Sequence, residues 1–259
     1  MRNFYLIFKK ELRSYFLSPV AYVVICIFLV LAGYFFYTVF ATFSMLSFEA
    51  TQDPLMAKQY NLLNITESVV RPLFGNISII MLLMMPMLTM RLLAEEKKTG
   101  TIELLSTYPV KDLEIITGKF FAAVAIFAVM LALTIPCFIL LAILGTPELG
   151  VIVSGFVGLL LMGAAFIALG LWTSSLTENQ IIAAAFSFGA LLIFWMMGFS
   201  VNFAGPTLGS ILSYVSFLPH LYNFAKGVVD TEDLVYYFNF SVFCLFLTMR
   251  TLESKRWRG

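Results

Sequence analysis

The sequence predicts an all-α integral membrane protein. It has six transmembrane helices, an N-terminal amphipathic helix, a short helix in a charged loop, and a re-entrant hairpin before the last span. Three observations predict this. The chain is 61% hydrophobic and only 12% charged over 259 residues, with a mean hydropathy of +0.94. A soluble domain carries about 25% charge, and so little polar material cannot cover a water-facing surface. Apolar runs of about 20 residues, the length that crosses hydrocarbon as a helix, recur along the chain. Lysines and arginines gather in alternate loops. The runs show no period-two alternation, and only helices or closed barrels satisfy their backbone in lipid. No linker or composition shift divides the chain, so residues 1–259 read as one domain.

Residues 1–17 come first. Phe4, Tyr5, Ile7, Phe8, Leu12, Tyr15 and Phe16 share one helical face, and Arg2, Asn3, Lys9, Lys10 and Arg13 the other. Leu6 and Glu11 break the pattern. A basic amphipathic helix lies in the membrane interface with its cations near anionic headgroups. The alternative is a cytoplasmic extension of the first span. The charges run on to Arg13 and no small-residue cleavage site follows, which argues against a signal peptide.

Spans are expected at about 18–42, 72–93, 118–144, 150–173, 180–201 and 233–250. Asn179 to Ala225 carries no charge, length enough for two spans, yet 202–224 is rich in Pro, Gly and Ser. Parity decides. With six spans, Arg2, Lys9, Lys10, Arg13, Arg91, Lys97, Lys98, Lys111, Lys119, Arg250, Lys255, Arg256 and Arg258 fall on one side, and Lys58, Arg71 and Lys226 on the other. The positive-inside rule makes the first side cytoplasmic, with both termini there. A seventh span would move the cluster from Arg250 to Arg258 outside. Residues 205–226, with Pro206, Pro219 and His220, are therefore read as a hairpin of short helices dipping into the outer leaflet. The loop 43–71 is the larger outer feature, with a surface helix from about Pro54 capped by Asp53.

Several function classes drop out. No span interior is expected to hold Asp, Glu, Lys or Arg, the residues that mark ion-coupled pathways. Paired Asp, HExxH and Ser/His pairs are missing from the helices, which argues against an intramembrane protease. His220 stands alone and reads as structural. Cys26, Cys137 and Cys244 lie in apolar runs and read as small buried hydrophobes, with no metal spacing. The net charge of +1 gives no reason to expect nucleic acid. Pro86 and Pro136 are expected to kink their spans. Ala164/Ala168, Ala183/Ser187 and Ala185/Gly189 are small-xxx-small pairs suited to close helix contact.

The segment RLLAEEKKTGTIELLSTYPV, residues 91–110, holds six charges between apolar runs. Glu95, Glu96, Lys97 and Lys98 sit where span two leaves the bilayer, and the cations suit the last turn. Gly100 stops the helix in left-handed geometry. Thr101 then caps a two-turn helix carrying Ile102, Glu103, Leu104 and Leu105. Tyr108-Pro109 breaks that helix, and Asp112 caps the return into span three. A two-turn helix is marginal alone, and leucines exposed to the cytoplasm want a partner surface. No GxxxxGK[ST] phosphate loop exists in the chain, so nucleotide hydrolysis would have to come from another one.

Glu95-Glu96-Lys97, Gly100-Thr101, Glu103-Leu104-Leu105 and Pro109-Val110 together resemble the coupling segment of the ABC type-2 permease family. Ser14-Tyr15-Phe16-x-Ser18-Pro19 resembles that family's approach to its first span, and Ser175-Leu176-Thr177-x-Asn179-Gln180 its loop between spans four and five. Gly227-Val228-Val229-Asp230-Thr231-x-Asp233-Leu234 is similar to the gliding-motility branch, with nitrous-oxide-reductase maturation permeases as relatives. The resemblance covers essentially the whole chain and implies a type-2 ABC exporter fold in a bacterial inner membrane. It further implies a second permease chain, identical or different, and two cytoplasmic ATPase subunits that hold ATP and magnesium. This chain itself would bind no cofactor and would not be an enzyme. Ile102, Leu104 and Leu105 would enter an ATPase groove, oriented by Glu95, Glu96 and Glu103, with Gly100 and Pro109 setting shape. A competing reading is a membrane scaffold that anchors an ATPase to an extracytoplasmic partner and moves no substrate.

Overall fold

A computed structural model describes residues 2–50, 64–101, 111–203 and 205–256. Among the described residues every regular element is helical. Helix α1 (Arg2–Leu17) precedes α2 (Pro19–Ala50), the first span. The second span is one helical rod. It opens with a π-helical turn (Thr66–Val70), continues as α3 (Arg71–Thr89), and extends as α4 (Arg91–Lys98). Pro72, which has no N–H for an α-helical bond, sits in the first turn of α3, just past the π turn. Met90 between α3 and α4 keeps helical angles (φ −52°, ψ −34°) four residues after Pro86, so the helix is interrupted without turning away.

The third span is α5 (Asp112–Ala132) followed by α6 (Ile135–Leu144). The break at Leu133-Thr134 lies just before Pro136, where the missing N–H is one of a new helix's unpaired donors anyway. Then come α7 (Leu149–Leu176), α8 (Gln180–Ser200), the two short helices α9 (Pro206–Val215) and α10 (Phe217–Ala225), and α11 (Thr231–Arg256). Six of these rods are long and apolar enough to cross a membrane.

Helix α7 is the hub. It touches α3, α5, α8, α10 and α11, whereas α2 packs mainly on α3 at the periphery. Lipid tails are as apolar as leucine, so the hydrophobic effect does not hold such helices together; close packing and polar contacts do. A Cβ at Gly163 would lie 2.0 Å from Phe127 Cε1, and one at Gly170 would lie 2.1 Å from Thr89 Oγ1. These two glycines let α5 and α3 approach the hub.

Several expectations change. The outer loop is shorter than 43–71, because 43–50 continues α2 and 66–71 already belongs to span two; the helix near Asp53 and Pro54 lies outside the described residues. Of the small-residue pairs, Ala183 and Ser187 are buried, but Ala185 is exposed and Gly189 faces open space. Cys244 is buried while Cys26 is exposed on α2. Helix α5 starts at Asp112, which places Lys119 two turns inside it and buried, and Asp233 is buried in the first turn of α11. Charged groups therefore do sit within the ends of the spanning rods.

Candidate functional site

The charged loop is mounted on a polar hub at the end of the bundle that carries α1. On α1, Asn3, Phe4, Ile7, Phe8, Glu11, Leu12 and Tyr15 turn inward at three- and four-residue spacing. Most of the apolar face expected to lie on lipid instead meets α5. Phe4 packs edge-on to Phe121 at 6.0 Å and alongside Phe8 at 6.3 Å, and Ile7 fills the space over Gly118. Leu12 packs against the core. Tyr5 and Phe16 remain exposed.

Glu11, out of pattern in the sequence, has its reason here. Lys119 on α5 is 2% exposed, and its Nζ lies 2.9 Å from Glu11 Oε1 and 2.9 Å from Glu96 Oε1 on α4. Lys10 Nζ stands 3.7 Å from the same Glu96 oxygen. Two carboxylates and two ammonium groups thus join three elements. A buried ion is costly unless paired and hydrogen-bonded, so these positions are strongly specified.

Helix α4 is held from its other side by α7. Ser174 Oγ accepts hydrogen bonds from the N–H groups of Leu93 (3.1 Å) and Ala94 (3.0 Å) and donates to the Met90 carbonyl (2.9 Å). It caps from a distance the donors that the interruption at Met90 leaves open. Lys97 Nζ donates to the Ser175 carbonyl. Glu95 is exposed on the opposite face of α4.

Gly100 adopts φ +70°, the left-handed geometry that ends a helix. The Thr101 hydroxyl turns back, donating to the Glu96 carbonyl at 3.3 Å and lying 3.0 Å from Thr99 Oγ1. Ile102, Glu103, Leu104, Leu105 and Pro109 lie outside the described residues. On the far side of the loop, the N-cap of α5 is Lys111 rather than Asp112: the Lys111 N–H donates to Glu114 Oε2 at 3.3 Å, and the Glu114 N–H donates to the Lys111 carbonyl at 2.8 Å. Glu114, three residues past the cap, is the acid that can reach back.

At the opposite end of the bundle, α9 and α10 form the hairpin. Pro206 is the first residue of α9. Pro219 sits in the first turn of α10, where no N–H is required. His220 is buried with both ring nitrogens engaged. Nδ1 lies 2.5 Å from Asp233 Oδ1 and Nε2 lies 2.9 Å from the Tyr214 carbonyl. A carbonyl only accepts, so Nε2–H donates to Tyr214, and Nδ1 makes the contact with the Asp233 carboxylate. Asn223 Nδ2 donates to the other Asp233 oxygen at 3.0 Å. The hydroxyls of Tyr236 and Tyr237 on α11 donate to the carbonyls of Val215 and Phe217, at 2.6 and 2.9 Å. The hairpin is thereby fastened to the last span.

Sequence reasoning gave Lys119, Glu11, Ser174 and Asp233 no site role. The available signals were a carboxylate on a basic face, a lysine just inside an apolar run, and a lone histidine thirteen residues before an aspartate.

A six-span helical bundle with a buried ionic hub supporting a charged connection defines a multi-pass membrane protein. More specifically, the chain belongs to the ABC-2 family transporter proteins, whose family pattern matches residues 44–248. It is thus a permease-type membrane subunit, and membership implies a cytoplasmic ATPase as its partner. No curated protein matches the chain.

Proposed function

We propose that this chain couples ATP hydrolysis in a separate cytoplasmic ATPase to export, or to mechanical force, across a bacterial inner membrane. Two ATPase subunits, which hold the ATP and magnesium, would act on a pair of permease chains, identical or different. Both termini of this chain would be cytoplasmic. Within the family, residues 227–234 favour the gliding-motility branch, with nitrous-oxide-reductase maturation permeases as relatives.

The observation that carries this reading is the Lys119 hub. The segment between Gly100 and Lys111 is tied at its base to α1, span two and span three through one buried cation. A push on that segment displaces three elements together, because a packed ionic junction moves as a unit rather than deforming continuously. Ile102, Leu104 and Leu105 would supply the apolar contact to the ATPase, with Glu95, Glu96 and Glu103 orienting the segment and Gly100, Thr101 and Pro109 shaping it. The outer hairpin with Pro206, Pro219 and His220 would close the outer side and offer a surface to an extracytoplasmic protein.

Affinity purification of the tagged permease should recover an ATPase subunit. The double variant Leu104→Asp, Glu103→Lys should lose it while still reaching the membrane. Undiminished recovery would refute the docking assignment. ATP hydrolysis by the reconstituted complex without flux of any candidate cargo would favour a scaffold over an exporter.

A further inference from the structure

Between α1 and the start of α4 runs a groove of about 660 Å³. Lys9, Lys10 and Arg13 line it from α1 and Arg91 from span two, with Glu95 as the one carboxylate on its wall. Lys10 shares its charge with the hub. Among the described residues, Lys9, Arg13 and Arg91 have no carboxylate partner. Arg91 is held in place by neutral groups instead. Its Nη1 donates to Ser18 Oγ at 2.6 Å, and its guanidinium lies 4.7 Å from the centre of the Tyr15 ring. A positioned, half-buried guanidinium without a counter-charge is suited to a phosphate, which it grips through two parallel N–H bonds.

The groove's level in the membrane selects the source of that phosphate. Ser18 directly precedes the first span and Arg91 stands at the end of the apolar part of the second, so the groove lies at headgroup height. Leu6 and Leu17, also on its wall, are 55% and 71% exposed. Apolar side chains flanking a cationic slot suit acyl chains beside a headgroup and not the acidic surface of a soluble protein. Leu6, out of pattern in the sequence, fits this role. We infer that this groove is a binding site for the phosphate of an anionic phospholipid in the leaflet beside α1. A bound lipid would bridge the surface helix to span two and fasten the support of the charged loop. The inference rests on α1 lying at the membrane surface and not on ATP coupling, so a failed ATPase pull-down leaves it standing.

The test is native mass spectrometry of the detergent-purified full chain, titrated with dihexanoyl-phosphatidylglycerol, dihexanoyl-phosphatidylcholine or inorganic phosphate. The wild type should retain the phosphatidylglycerol in preference to both. A basic residue at an anionic surface contributes roughly fivefold in affinity, so Arg13→Gln with Arg91→Gln should weaken that retention about 30-fold. Arg250→Gln, which removes a cation already paired with Glu253 at 2.9 Å, should leave it unchanged. Thermal unfolding of each variant separates lost binding from lost fold; if the double variant does not fold, Lys9→Gln with Arg13→Gln replaces it. Equal retention of both lipids, or a preference that survives the variants, overturns the site. Phosphate binding as tight as the lipid makes it a site for a free anion. Loss of the lipid when the ATPase binds assigns the groove to the protein partner instead.

Discussion

Lys119 Nζ stands 2.9 Å from Glu96 Oε1 with the lysine 2% exposed, and the same nitrogen reaches Glu11 at 2.9 Å. One cation therefore pairs with two carboxylates from different helices. Removing it with Lys119→Met leaves two largely buried carboxylates facing each other. The expected loss is about 3–5 kcal/mol of stability. Adding Glu11→Gln and Glu96→Gln should recover most of it, because no uncompensated buried charge then remains. Thermal unfolding of the wild type, Lys119→Met and the triple variant in detergent checks this, and failure of the triple variant to regain stability would refute the hub's ionic account.

Ser174 is the distant cap of α4. Ser174→Ala leaves the Leu93 and Ala94 N–H groups without that acceptor, at a cost of about 1–3 kcal/mol. Ser175→Ala, at a buried position, removes only a local bond to the Trp172 carbonyl and should cost less, about 0.5–1 kcal/mol. Limited proteolysis within 99–111 should quicken for the first variant alone.

The hub helix α7 tolerates little at its contact glycines. Gly163→Ala places a methyl 2.0 Å from the Phe127 ring, and such overpacking costs about 1–3 kcal/mol. Gly189→Ala enters open space on α8 and should be neutral or slightly stabilising, since alanine is the better helix former. Melting temperatures of the two variants should move in opposite directions or differ clearly.

Asp233 holds His220 and Asn223 together. Asp233→Ala strands a buried imidazole and a half-buried amide, with an expected loss of about 3 kcal/mol. Asp233→Asn can still donate to Nδ1 and accept from Asn223, so it should cost much less. Equal losses in thermal unfolding would show that the carboxylate's charge, not its hydrogen bonding, holds the hairpin.

What the sequence by itself determined is the class of protein and the position of its signals. Length and apolarity of the runs predict six spanning helices, because a helix must cover a fixed thickness of hydrocarbon. Gly100 marks a helix end because a left-handed stop after two lysines follows local backbone rules, and local rules act within a few residues. Only the tertiary structure decided what each helix face meets. Lipid and protein are equally apolar, so hydropathy could not tell that Phe4, Ile7 and Phe8 pack on α5 while Tyr5 and Phe16 stay exposed. Nor could helical periodicity join Glu11 to Lys119 or His220 to Asp233, since it places residues on a face without naming the neighbour across from it. Charge burial made those partners obligatory, and burial is a property of the assembled bundle.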